Sequence, residues 1–176
     1  MPLCAAERSE SSLRILGIDP GLATMGWGVI DTDGVKHKLV AYGTLDTRPG
    51  VTLPYRLRSL YIGFKQLTDT YKPDDIAFEE LFFAKNVTTG IAVSGARGVA
   101  LMAACEYTDN LYEYTPMQIK QAVVGYGKAE KQQVQMMVRM MLNMKETARP
   151  DDAADALALA ITHAHSGRAK DQFKIK

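Results

Sequence analysis

The spacing of apolar and polar positions changes period along this chain. The run Ile15, Leu16, Gly17, Ile18 and Asp19, closed by Pro20-Gly21, predicts a buried strand ending at the aspartate. A second strand is predicted over Gly26 to Asp31. Asp33-Gly34 then signals a hairpin into a third strand around Lys36 to Thr44. From Leu53 to Tyr71 the period lengthens: Leu57, Leu60, Tyr61, Phe64, Leu67 and Tyr71 recur at helical spacing until Pro73 stops the run. A short strand follows at Asp75 to Glu79, a helix at Asn86 to Tyr107, and a strand at Leu111 to Tyr114. Helices are then predicted from Thr115-Pro116 to about Val124, from Ala129 to Met144 and from Asp151 to about His165.

Three antiparallel strands followed by strands alternating with helices predict an α/β fold, a mixed five-stranded sheet flanked by helices. No internal repeat or low-complexity linker interrupts it. The expected organisation is a disordered N-terminal extension (residues 1–13), one domain (14–165) and a basic C-terminal tail (166–176), with both ends dispensable. A chain of 176 residues, 47% hydrophobic, suits one such domain.

Cys4 and Cys105 form neither a disulfide framework nor a metal-ligand spacing, which predicts a reducing, cytoplasmic setting. The opening residues lack the apolar run of a secretory signal. The longest apolar stretches, such as Val99 to Cys105, fall far short of the roughly 20 residues a membrane span requires. No membrane partner is expected. The charge balance, 21 Lys+Arg against 20 Asp+Glu, gives no bulk reason to expect a nucleic-acid partner and leaves local patches to decide.

The carboxylates supply the candidate chemistry. Asp19 and Glu79 each end a predicted strand, and alternation puts Asp19 on the face of Gly17 and Glu79 on the face of Ala77. Small residues there predict that another element approaches closely. The last helix, thin with Ala153, Ala154, Ala156, Ala158 and Ala160, is the natural one, and its Asp152 and Asp155 share a face. Four converging carboxylates repel unless hard cations neutralise them, so oxygen-only ligands point to Mg2+ or Mn2+. Two such ions activate water and stabilise a leaving oxygen in phosphodiester hydrolysis. Blander roles exist for each acid: a turn aspartate at Asp19, a solvated strand end at Glu79 and a helix cap at Asp152. Asp155, an aspartate among alanines and leucines inside a helix, is harder to explain away.

Five segments, in order, resemble the RuvC family of bacterial Holliday-junction resolvases. They are G-I-D-P-G at Gly17 to Gly21, F-E-E-L-F-F-A-K-N at Phe78 to Asn86, A-R-G-V-A at Ala96 to Ala100, K-Q-A-V-V-G-Y-G-K-A-E-K at Lys120 to Lys131, and D-D-A-A-D-A-L-A-L-A-I-T-H at Asp151 to His163. The likeness runs from about Ile15 to His165. The first segment alone also opens sugar kinases and chaperone ATPases, but this chain is short for their two-domain architecture and shows no second phosphate loop. The resemblance implies a ribonuclease-H-like homodimer that nicks opposed strands of four-way junction DNA, leaving 5′-phosphate and 3′-hydroxyl ends, and works with RuvA and RuvB. It carries the catalytic, metal-holding acids onto Asp19, Glu79, Asp152 and Asp155, with two Mg2+ ions per site. Asp19 would bridge both ions and Glu79 would hold one beside the attacking water.

The balance of charge also hides local excesses: +4 over Pro116 to Arg149 and +3 over Ser166 to Lys176. Lys128 and Lys131 follow the Gly125-Tyr126-Gly127 break at a helix start, where backbone donors and lysines together would hold a phosphate. By the resemblance, Lys120 and Lys131 contact phosphates near the scissile bond and Phe82 stacks at the junction, although each also fits a solvated face or a packed side chain. The methionines from Met136 to Met144 read as helix packing. His163 and His165 read as structural or solvated, having no ligand partner at metal spacing. Gly90, Ser94 and Gly98 make a smooth helix face, suited to a close dimer contact or to packing on the sheet.

Overall fold

A computed structural model describes residues 12–81 and 87–176 of the chain, without the side chains of 87–89. Its strands are β1 (Leu13–Asp19), β2 (Thr24–Thr32), β3 (His37–Asp46), β4 (Asp75–Glu79) and β5 (Leu111–Tyr114). Its helices are α1 (Leu53–Tyr71), α2 (Val87–Cys105), α3 (Pro116–Val124), α4 (Lys131–Met141) and α5 (Asp151–Ser166). The strands form one sheet in the order β3-β2-β1-β4-β5. The β1–β2 and β2–β3 pairs are antiparallel, and β1–β4 and β4–β5 are parallel. This is the mixed α/β sheet predicted above.

Local chemistry sets the boundaries. At the first hairpin the Asp33 carboxylate accepts from the Val35 and Lys36 backbone N–H groups while Gly34 takes a left-handed φ of 93°. Helix α1 ends where Lys72, at φ 48°, donates its N–H to the Thr68 carbonyl, just before Pro73. Thr115 and Gln118 close a capping box on α3, with Pro116 in the first turn.

Strand alternation divides the core in two. Leu16, Ile18, Ile76 and Phe78 face α1 and α2, where Phe64 stacks on Phe78 at 6.2 Å. Ile15, Ile30, Ala77 and Tyr112 face α3, α4 and α5. Helix α5 lies across β1 and β2 because those strands offer glycines: a Cβ at Gly17 would be driven into the Ala156 carbonyl oxygen, and one at Gly26 into the Asp152 carbonyl. Ala153, Ala154, Ala156 and Ala158 of α5 are all buried.

The C-terminal segment departs from expectation. Ser166 is the last residue of α5, and a 3-10 segment follows over Gly167–Phe173. Lys170 bonds the buried Asp75 carboxylate at 2.7 Å, Phe173 packs on Tyr114 at 4.7 Å, and the Ile175 N–H donates to the Leu111 carbonyl. The segment predicted to be dispensable therefore folds onto the sheet, because it neutralises a buried charge and covers a tyrosine. Residues 1–11 of the expected N-terminal extension lie outside the described residues. No described helix is long and apolar enough to cross a membrane.

Candidate active site

Parallel pairing of β1 and β4, with Ile18 opposite Phe78, sets Asp19 and Glu79 side by side at the carboxyl ends of adjacent strands. Both belong to the face that α5 covers, and the close approach at Gly17 and Gly26 brings Asp152 and Asp155 to the same place. Burial first, then the charges of Glu79, Asp155 and Asp152, push the Asp19 carboxyl up to about 8, against the pull of Lys131. Burial and Asp155 push Glu79 up to about 7, countered by Lys131 and by a hydrogen bond with Asp19. Burial also raises Asp155, which Lys131 opposes. The charges of the other three acids thus meet at Asp19.

Lys131 enters that field from the start of α4. Its Nζ stands 2.9 Å from Asp155 Oδ2 and 3.4 Å from Asp151 Oδ2. Burial works against its charge, but the contacts with Asp155 and Asp151 outweigh this and raise its proton affinity. A cavity of about 230 Å³ opens beside it, lined by Glu79, Asp155, Lys120 and Lys131 and floored by Ile119 and Val134. Lys120 and Lys131 therefore flank the acids. Lys128 does not: it is exposed in a separate, largely apolar groove with Tyr114, Met117 and Phe173. Phe82 lies outside the described residues.

The start of α4, expected to seat a phosphate, carries a cap of its own. Gln133 Oε1 accepts from the Glu130 N–H at 2.8 Å and from the Tyr126 hydroxyl at 2.7 Å, within a capping box. The cap thus engages the N-cap N–H and the Tyr126 hydroxyl at this helix start.

The donor set suits a hard divalent cation: oxygen-only, buried at the rim of a cleft, with carboxyls holding protons that a cation would displace. Among the described residues no three His, Cys, Asp or Glu side chains already stand at metal-holding geometry, and the Lys131 ammonium is the nearby positive charge.

Sequence reasoning overlooked Asp75. This carboxylate is 1% exposed, bonded by His163 Nε2 at 2.8 Å and by Lys170, while His163 Nδ1 meets the Tyr114 hydroxyl. Burial opposes its charge, but the hydrogen bonds from His163 and Lys170 prevail and lower its proton affinity. The network fastens α5 to β4 and β5 at the end away from Asp152 and Asp155. An aspartate opening a strand on the same face as Glu79 was the available signal, and its partners lie 88 and 95 positions away.

A five-stranded mixed sheet with acids at the ends of its first and fourth strands, completed from a crossing helix, places the molecule among the ribonuclease-H-like nucleases. The family model "Crossover junction endodeoxyribonuclease RuvC" matches residues 15–163. A protein of that name from Alkaliphilus metalliredigens (strain QYMF) is 51% identical over 162 residues, 92% of this chain and 99% of its own length. Another, from Desulforamulus reducens, is 53% identical over 150 residues, 85% of this chain and 92% of its own. The solved structure of Thermus thermophilus RuvC in complex with Holliday junction substrate superposes with a TM-score of 0.85 at 36% identity, covering 89% of this chain and 96% of that one. The yeast mitochondrial Holliday junction resolvase Ydc2, 16% identical with a TM-score of 0.62, shares the fold. This chain belongs to the RuvC family of crossover junction endodeoxyribonucleases, which are metal-dependent nucleases.

Proposed function

We propose that this protein resolves four-way DNA junctions by metal-dependent hydrolysis of phosphodiesters on opposed strands, leaving 5′-phosphate and 3′-hydroxyl nicks. The supporting observation is the shared field of Asp19, Glu79, Asp152 and Asp155, in which burial and mutual repulsion hold Asp19 near 8 and Glu79 near 7. Such a cluster is costly to keep and is rewarded by divalent cations. Asp19, whose charge couples to all three other acids, would hold the cations together with Glu79, Asp152 and Asp155. Two Mg2+ ions, or Mn2+ in their place, would supply water activation and leaving-group stabilisation.

The remaining chemistry belongs to the chain. Lys120 and Lys131, flanking the 230 Å³ cavity, hold the phosphate and offset its charge as it enters an acidic site. Lys131, now 2.9 Å from Asp155, would be within the site to meet a phosphate oxygen as well. Lys128, on the other groove, contacts a phosphate farther along a DNA arm, and Phe82 stacks at the junction. The basic excess over Pro116 to Arg149 lets a chain of net charge +1 attract DNA.

A homodimer supplies two sites for two strands of equal polarity. Its contact is the α2 face, where Gly98 has open space beside it and Ile91 and Met102 are exposed. RuvA and RuvB are the branch-migration partners in this reading.

A mobile synthetic four-way junction incubated with protein and Mg2+ should be cut symmetrically. Asp19→Asn should bind the junction and leave it uncut. Normal cutting by that variant would remove the acid cluster from the mechanism, and binding without any metal-dependent cleavage by the wild type would make the protein a binding module.

A further inference from the structure

His37, the first residue of β3, and His165, near the end of α5, lie 128 positions apart and meet edge to edge with Nε2···Nε2 at 3.0 Å. Their ring centroids are 5.0 Å apart. Each ring is held from behind. His165 Nδ1 is 3.1 Å from the Ala122 carbonyl oxygen, and His37 Nδ1 is 2.8 Å from Thr32 Oγ1.

A carbonyl only accepts, so His165 carries its proton on Nδ1 and, when neutral, turns a bare Nε2 toward His37. His37 must then donate from Nε2 and accept the Thr32 hydroxyl proton at Nδ1. One proton is all that lies between the two Nε2 atoms. Thr32 Oγ1 already accepts from the Gly34 N–H and can also accept from an imidazole N–H. Moving the His37 proton from Nε2 to Nδ1 therefore keeps a hydrogen bond there, frees both Nε2 lone pairs and releases no proton.

Two nitrogen ligands of a tetrahedral ion at about 2.05 Å sit roughly 3.3 Å apart, a few tenths of an ångström beyond the separation present. A backbone carbonyl behind one imidazole and a hydroxyl behind the other are the supports that orient metal-bound histidines. Access is open: His165 is exposed, and His37 borders two surface grooves of about 710 and 390 Å³, leaving room for waters to complete a coordination shell.

We propose that His37 and His165 form a second metal site, a two-histidine clasp for a borderline divalent transition ion such as Zn2+, Ni2+ or Cu2+, completed by water. It is chemically separate from the acid cluster, because imidazole favours these ions over Mg2+. It also lies about 15 Å along α5 from Asp155. A bound ion would join the start of β3 to the end of α5 and raise the cost of parting them. The clasp does not depend on the junction-resolving role.

The test uses tag-free protein. Titration of Cu2+ followed by electron paramagnetic resonance should show coupling to two imidazole nitrogens in the wild type and in Asp155→Asn. His165→Ala and His37→Ala should each lose that two-nitrogen signature and weaken Zn2+ binding at least about tenfold by calorimetry. Zn2+ should raise the melting temperature of the wild type more than that of either histidine variant, and Mg2+-dependent junction cleavage by His165→Ala should remain within about twofold of wild type. His165 is exposed, so its variant alone decides the matter if His37→Ala fails to fold. Retained two-nitrogen coupling in His165→Ala would overturn the clasp, as would Zn2+ binding that is lost with Asp155→Asn.

Discussion

Replacing Asp19 with asparagine should stabilise the metal-free protein at pH 8. The folded state holds the Asp19 proton up to about 8, whereas the unfolded chain releases it near 3.8. Folding thus favours the protonated acid. The resulting contribution is complete below pH 3.8 and is lost as pH rises toward 8. Each pH unit inside that window costs up to about 1.4 kcal/mol. The span of about four units sets a ceiling of roughly 6 kcal/mol. The Asp155 and Lys131 side chains at the rim are 29% and 51% exposed, and solvent there relaxes the field. The asparagine amide can still donate to the Glu79 carboxylate, as the protonated acid does. We therefore expect a net gain of about 2 kcal/mol at pH 8, or a rise in melting temperature of roughly 4–8 °C. Thermal unfolding in EDTA from pH 5 to pH 8 measures it. The gap between variant and wild type should widen with pH, and millimolar Mg2+ or Mn2+ should close it by stabilising only the wild type. A variant no more stable than wild type at pH 8, or a gap that widens toward acid, would refute the account of an electrostatically strained cluster.

Three further changes probe neighbouring parts. Truncation after Ser166 removes Lys170 and Phe173 and should cost about 2–4 kcal/mol in urea denaturation, since it leaves Asp75 buried without its ammonium partner; an unchanged midpoint would show the segment to be dispensable after all. Gly17→Ala should destabilise by about 1–3 kcal/mol and lower cleavage more than tenfold, because its methyl group meets the Ala156 carbonyl and lifts α5 from the sheet; wild-type activity would mean that the close approach does not set the site. Lys131→Ala removes the charge that lowers Asp19, Glu79 and Asp155, so the pH profile of cleavage should move to higher pH with reduced activity; an unmoved profile would separate this lysine from the acids.

Three of the four candidate acids were legible before any tertiary information because each broke a local rule, and Asp152 was read from the helix face it shares with Asp155. Asp19 and Glu79 end apolar strands just past a small residue on the same face, and Asp155 interrupts a run of alanines and leucines. Alternation states which face a strand residue occupies, and a glycine or alanine there states that something comes close. The pattern did not say which element comes close, and the parallel pairing that sets Asp19 beside Glu79 is a tertiary fact. The alanines of α5 made it the best candidate.

Other features depended wholly on the fold. Lys120, Lys128 and Lys131 lie within twelve positions, yet α3 separates them into two grooves, because helical phase and the turn between helices decide where each points. The start of α4 reads as an anion seat along the chain, and the fold adds a cap there from Gln133 and Tyr126. The C-terminal segment reads as a basic tail, but Lys170 is the counter-charge of Asp75, 95 residues earlier. His165 had no partner at ligand spacing along the chain and acquires one from β3. Periodicity and composition determined the layers, the burial faces and the four acids, because local spacing carries that information. Only the tertiary structure paired Asp75 with Lys170 and His37 with His165, because partners so far apart share no pattern until the sheet and α5 have packed.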